Sequence, residues 1–205
     1  MQKYKIREEY LQRAVALLNE TAFKPAGYDM PPVNVSVSWI IGNRTANKKT
    51  LGQCSPRASS SAGVNELRIV PTVDDSFLAI DTLAHEMVHA YDDCKSSHGA
   101  GFRKICLAVG LDGNSQMTYA EAGEKLGKTI KNIIATIGEY PHAKVDVSNV
   151  KKQGSRMLKH ICENECGASC YQSSKQSDEN PMLCSNCTDT CNDDGYTVNV
   201  YMVQA

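Results

Sequence analysis

Apolar positions recur at helical spacing near the start of the chain. Tyr10, Ala14, Leu17 and Leu18 stand with Arg7, Glu8 and Glu9 before them and Arg13 among them, and the pattern predicts an amphipathic helix over residues 4–23. Ala26-Gly27 and Pro31-Pro32 end it. The period then falls to two: Val33, Val35, Val37 and Trp39 alternate with Asn34, Ser36 and Ser38, as in a strand with one buried face. Residues 51–54 and 64–70 predict two more strands around the Ser- and Ala-rich turn at 58–63, and the three are expected to form a small antiparallel sheet. Asp74 or Asp75 can cap a helix that runs to about residue 92. Phe77, Leu78, Ile80, Leu83, Ala84, Met87, Val88 and Tyr91 give that helix a wide apolar face, which places it in the core against the sheet. A polar turn at 96–99 leads to a short helix with Phe102, Ile105, Cys106 and Val109, stopped at Gly110. Another amphipathic helix is expected over 118–137, and 138–150, with Pro141 and no periodicity, reads as a linker.

A chain of 205 residues accommodates one full core and a small appendage. With 41% hydrophobic and 22% charged residues it is not a disordered chain. No stretch approaches the roughly 20 apolar residues of a membrane span. The charged start, MQKYKIREEYLQRAVALLNE, lacks the apolar run of a secretory signal, so no membrane partner and a cytoplasmic location are expected. Nine cysteines in such a compartment point to metal rather than disulfides, and six of them, Cys162, Cys166, Cys170, Cys184, Cys187 and Cys191, are clustered near the end. Hence the expected division: one domain over 1–145, then a linker and metal-binding module over 146–205.

The net charge of -1 argues against a uniformly basic nucleic-acid binder. Lysines and arginine do collect between 121 and 160 (Lys125, Lys128, Lys131, Lys144, Lys151, Lys152, Arg156, Lys159), where an ordinary solvated surface is the plainer reading, and the balance turns acidic from residue 161.

His85-Glu86-Met87-Val88-His89 is an HExxH motif on the helix expected to be most buried. Residues four apart on a helix project from nearly the same side, about 6 Å apart along the axis, so two imidazoles can take two corners of one tetrahedral zinc. Glu86 is rotated off that line yet near enough to serve as general base toward a water on the zinc. A catalytic zinc needs a third protein ligand and an open fourth position; His98, in the turn after the helix, is the candidate, with Asp92, Asp93 and Cys94 competing in the same turn. Tyr119 is a candidate oxyanion donor, with packing as its plainer role. Downstream, Cys162-x3-Cys166 and Cys184-x2-Cys187 have nearly the spacing of the two knuckles of a zinc ribbon, where four thiolates close the shell and a second, structural zinc folds the segment. Cys170 and Cys191 are the alternative ligands.

These residues resemble the SprT-like zinc metallopeptidases, the family that includes Spartan. The resemblance is carried by the strand at 33–40, Leu51-Gly52-Gln53-Cys54, the strand at 67–70, His85-Glu86-Met87-Val88-His89-Ala90-Tyr91, His98-Gly99-x-x-Phe102 and the terminal cysteines. Met117-Thr118, Ala122-Gly123, Tyr140-Pro141-His142, Lys151-Lys152-Gln153 and Arg156-Met157-Leu158-Lys159 are similar to the short members encoded by bacteriophages, which would place the protein in a host cytoplasm. The resemblance implies an α+β zincin-like fold followed by a zinc ribbon, an endopeptidase with His85, His89 and His98 as zinc ligands and Glu86 as base, and action on DNA-associated proteins. The substrate is expected to add as a strand along the sheet edge beside the motif helix. The competing readings are a non-catalytic zinc protein that binds nucleic acid or a protein partner through its ribbon, and a regulatory protease that never touches DNA.

Overall fold

The protein is described by a computed structural model at residues 4–41, 50–146, 157–188 and 199–205. It is a mixed α+β chain with small sheets, and it divides into two compact units, Met1–Ser148 and Asn149–Ala205. No helix among the described residues is long and apolar enough to cross a membrane.

In the first unit, α1 (Arg7–Leu18) buries Tyr10, Leu11, Ala14, Val15 and Leu18 and continues through a π-helical turn, Asn19–Phe23, to a left-handed Gly27. Strands β1 (Val33–Val37), β2 (Gly52–Ser55) and β3 (Asn65–Ile69) form one sheet in the order β1-β3-β2. The sheet is mixed rather than antiparallel. β2 and β3 pair antiparallel as expected, but β1 runs parallel to β3. The physical reason lies in β3, where Asn65, Leu67 and Ile69 are all fully buried. The strand with the most buried pattern takes the middle place and separates β1 from β2. The short link from β2 to β3 requires antiparallel pairing, whereas the long route from β1 does not. Trp39, expected to extend β1, lies beyond it and is half exposed.

Helix α2 (Ser76–Tyr91) starts where its cap predicts: the Asp75 carboxylate accepts the Leu78 N–H at 2.7 Å. Ala79, Ile80, Leu83, Ala84, Met87 and Val88 are buried, and the helix packs on β3 and β2. Leu78 and Tyr91 fall outside the buried stripe. After a turn, α3 (Ala100–Val109) ends at left-handed Gly110 as expected.

Two further expectations are corrected. The helix expected over 118–137 begins only at Glu124: Leu111–Gly113 (β4) and Ala120–Ala122 (β5) pair antiparallel, and α4 (Glu124–Ile137) follows from Gly123. Alternation over 120–122 is too short to register as a strand by pattern alone. The first part of the expected linker is also packed, because Tyr140 is buried beside Tyr10, its N–H donates to Ser76 Oγ at 2.9 Å, and the Val145 N–H donates to Pro71 O at 2.8 Å. Of the basic positions, Lys125, Lys128 and Lys131 are exposed on α4, with Lys128 bonded to Glu124 at 2.7 Å; Lys151, Lys152 and Arg156 lie outside the described residues.

The second unit contains β6 (Met157–Cys162), β7 (Ser169–Ser173), α5 (Ser174–Glu179) and β8 (Met202–Gln204). Its strands are antiparallel in the order β7-β6-β8, and α5 opens with a capping box between Ser173 and Gln176. Its small core comprises Cys162, Cys184, Val200 and Met202.

Candidate functional site

Helix periodicity puts His85 and His89 one turn apart on α2. The turn after the helix then reverses the chain through left-handed backbone at Asp93, Cys94 and Ser97, with φ of 58°, 61° and 46°. This brings His98 back over the helix. Its Nε2 lies 3.2 Å from His89 Nε2 and 3.4 Å from His85 Nε2. One N–H can serve one neighbouring lone pair, so three ring nitrogens this close leave two of them facing each other without a proton between them. A cation satisfies all three. Nitrogens at tetrahedral corners with Zn–N bonds of about 2.0–2.1 Å are about 3.4 Å apart, so the observed separations fit zinc, and His85, His89 and His98 form a group able to hold a metal ion.

The environment keeps these rings neutral, the form that ligates. Burial and the neighbouring His98 push His85 down to about 4, and burial with His85 and His98 pushes His89 down to about 3; burial also lowers His98. Phe102 of α3, fully buried, forms the floor of the group. It stacks on His89 with ring centroids 4.2 Å apart and meets His85 and His98 edge-on. In the sequence Phe102 is one more apolar helix residue, and only its place three positions after Gly99 hints at a role.

Glu86 points from α2 toward β2. It is 6% exposed, and burial, helped by Cys94 and opposed by the Cys54 amide, raises its carboxyl to about 8. Gly52 of β2 makes room for it: a Cβ at that position would lie 2.7 Å from Glu86 Oε1 and 2.8 Å from its Cγ. Sequence reasoning missed this constraint, because a glycine opening a strand signals close approach without naming the partner.

The competing third ligands lie outside this group. Asp92 accepts the Ser96 N–H at 3.0 Å, Asp93 accepts the Arg57 N–H at 2.8 Å and Asn65 Nδ2 at 3.1 Å, and Cys94 lies against Cys54. Tyr119 is exposed just before β5.

In the second unit, Cys162, Cys166, Cys184 and Cys187 form the other group able to hold a metal, their sulfurs all within 4.8 Å of one another. Cys166 and Cys184 Sγ are 3.5 Å apart, near the roughly 3.8 Å expected for thiolates at about 2.3 Å from a tetrahedral zinc. The extra residue in the first pair is absorbed by left-handed Glu165 and Gly167, with φ of 51° and 87°. Burial raises the Cys162 thiol, but the N–H groups of Cys166 and Asn164 together with the Cys184 and Cys166 thiols bring it down to about 7, which favours a thiolate. Cys170 is outside the group, and Cys191 lies outside the described residues. Two of the four core residues of this unit, Cys162 and Cys184, belong to the group. A strong chelator is therefore expected to abolish amide-exchange protection over 157–188 while leaving α1 and α4 protected. Protection that survives in a chain shown to be free of metal would mean that the sheet folds unaided.

No protein-family model matches the chain, and neither does any curated protein or solved structure.

Proposed function

We propose that the chain is a zinc-dependent endopeptidase of the SprT-like, zincin type, with His85, His89 and His98 holding the zinc and the four cysteines of the second unit holding a structural one. The observation that supports this reading is the convergence of three imidazoles from α2 and the turn after it, with buried Glu86 beside His85 on the same helix and its carboxyl against the outer strand β2. A zinc bound there would supply Lewis acidity, lowering the pKa of a water from about 15.7 towards about 7 and polarising the scissile carbonyl.

The protein's own residues do the rest. Glu86 takes the proton of the attacking water and passes it to the leaving amine. It must be ionised to do so, and a neighbouring positive charge favours that form. The pairing of β2 supports a place for the substrate. The Val70 N–H donates to Leu51 O at 2.9 Å, so 51, 53 and 55 bond toward β3, and Gly52 and Cys54 turn their N–H and C=O groups to the other side. Among the described residues β2 is an outer strand, and an extended peptide adding there would cross in front of Glu86.

The test is cleavage of a generic unfolded protein by the full chain, with and without single-stranded DNA. Cleavage is expected to disappear with a chelator and to return with zinc. Activity that requires DNA would tie the enzyme to DNA-associated proteins. Negligible cleavage by zinc-loaded chain under every condition would favour the non-catalytic zinc protein.

A further inference from the structure

Outside the two candidate metal groups, two cysteines far apart in sequence are brought together. Cys54 lies on β2 opposite the fully buried Leu67, so its side chain is on the sheet face that packs against α2. Cys94 lies in the left-handed turn after α2. Their Sγ atoms are 3.2 Å apart, against a disulfide bond length of about 2.05 Å. Both thiols are half-buried and free.

The approach is held from several directions. The Cys94 N–H donates to His89 O at 2.8 Å. The neighbouring Asp93 carboxylate accepts from the Arg57 N–H at 2.8 Å and from Asn65 Nδ2 at 3.1 Å, with the Arg57 guanidinium 3.5 Å away. Asn65 Nδ2 also donates to Ser55 O at 3.2 Å, so the turn is tied to the residues just after Cys54. Left-handed backbone at Asp93 and Cys94 is costly for residues with a Cβ, and pinning of this kind is what sustains it. Among the described residues no third His, Cys, Asp or Glu completes a metal group with the two thiols. Two thiols held together with no metal partner are suited to bonding each other.

We infer that Cys54 and Cys94 form a reversible disulfide, an oxidation site that fastens the outer strand β2 to the turn running from His89 to His98. Hydrogen peroxide is the oxidant. One sulfur attacks a peroxide oxygen, the O–O bond breaks, and sulfenic acid forms as hydroxide leaves; the second sulfur attacks the first, the S–S bond forms, and the S–O bond breaks with loss of another hydroxide. The two thiol protons convert both hydroxides to water, so two thiols and one peroxide give one disulfide and two waters. A thiol reductant reverses the change. The inference does not depend on peptide cleavage by the chain.

The bond would close a loop between positions 40 apart in sequence. A closure of that size restricts the unfolded chain enough to raise Tm by about 8 °C or more. The experiment treats the zinc-loaded full chain with one equivalent of hydrogen peroxide, blocks remaining thiols, digests, and maps peptides by mass. The expected result is a Cys54 peptide joined to a Cys94 peptide, two hydrogens lighter than the pair, with a rise in Tm that dithiothreitol reverses and that Cys54→Ser lacks. Recovery of both cysteines as blocked thiols while others oxidise would overturn the inference. So would either one pairing with a cysteine of the second unit, or a 54–94 link formed without a rise in Tm.

Discussion

Replacing Glu86 by glutamine is expected to lower peptide-bond cleavage by about 10²–10⁴-fold, the usual contribution of a positioned general base, while the zinc content of the protein stays the same. Glutamine matches the carboxylate in shape but cannot take a proton, and His85, His89 and His98 are untouched by the change. The fold should tolerate it, since Glu86 is buried and its carboxyl is raised from its ordinary 4.5 to about 8. A carboxyl raised in the folded state contributes stability that is fully present below about pH 4.5 and is lost as pH rises through about 8. In the metal-free protein, Glu86→Gln should therefore hold its Tm better than the native chain across that window. Initial rates, metal analysis and Tm against pH check the three parts. A variant that keeps both its zinc and its full cleavage rate would show that another group takes the proton, and the proposed mechanism would fall.

The residues that meet at this site were legible because local rules govern them. HExxH places His85 and His89 by helix geometry alone, Asp75 caps α2 where a short acceptor side chain should, and the cysteine spacing picks out the four that converge. His98 was legible as a residue type in the right turn. Its arrival over the helix depends on left-handed backbone at Asp93, Cys94 and Ser97, for which no glycine gives warning. The order of the sheet was not legible, since the pairing of β3 along both of its edges is a property of the assembled core. Packing of Tyr140 against Tyr10 was hidden for a related reason: a segment held by Ser76, Pro71 and one aromatic contact carries no periodicity. Phe102 and Gly52 act through contacts with residues distant in sequence, and pattern alone cannot supply those.

Gly52 yields the second large effect. In Gly52→Ala, the new Cβ would lie 2.7 Å from Glu86 Oε1, 2.7 Å from Thr82 Cγ2 and 2.8 Å from Glu86 Cγ. Real Cβ contacts do not come so close, so something must move. The Glu86 carboxylate is the far end of a flexible side chain and yields most easily; the alternative is to lift β2 away from α2. Displacing a catalytic group by about 1 Å costs about 10²-fold in rate, so cleavage should fall by that order although no reacting atom has been replaced. Gly52 is not in the left-handed region, so alanine adds no backbone strain there. The two ways of relieving the overlap separate in steady-state kinetics. A moved carboxylate lowers kcat and leaves KM near its native value, whereas a lifted strand weakens peptide addition at the β2 edge, raises KM and lowers Tm. Native kcat and KM in Gly52→Ala would mean that β2 does not fix Glu86, and the substrate path along that edge would have to be abandoned.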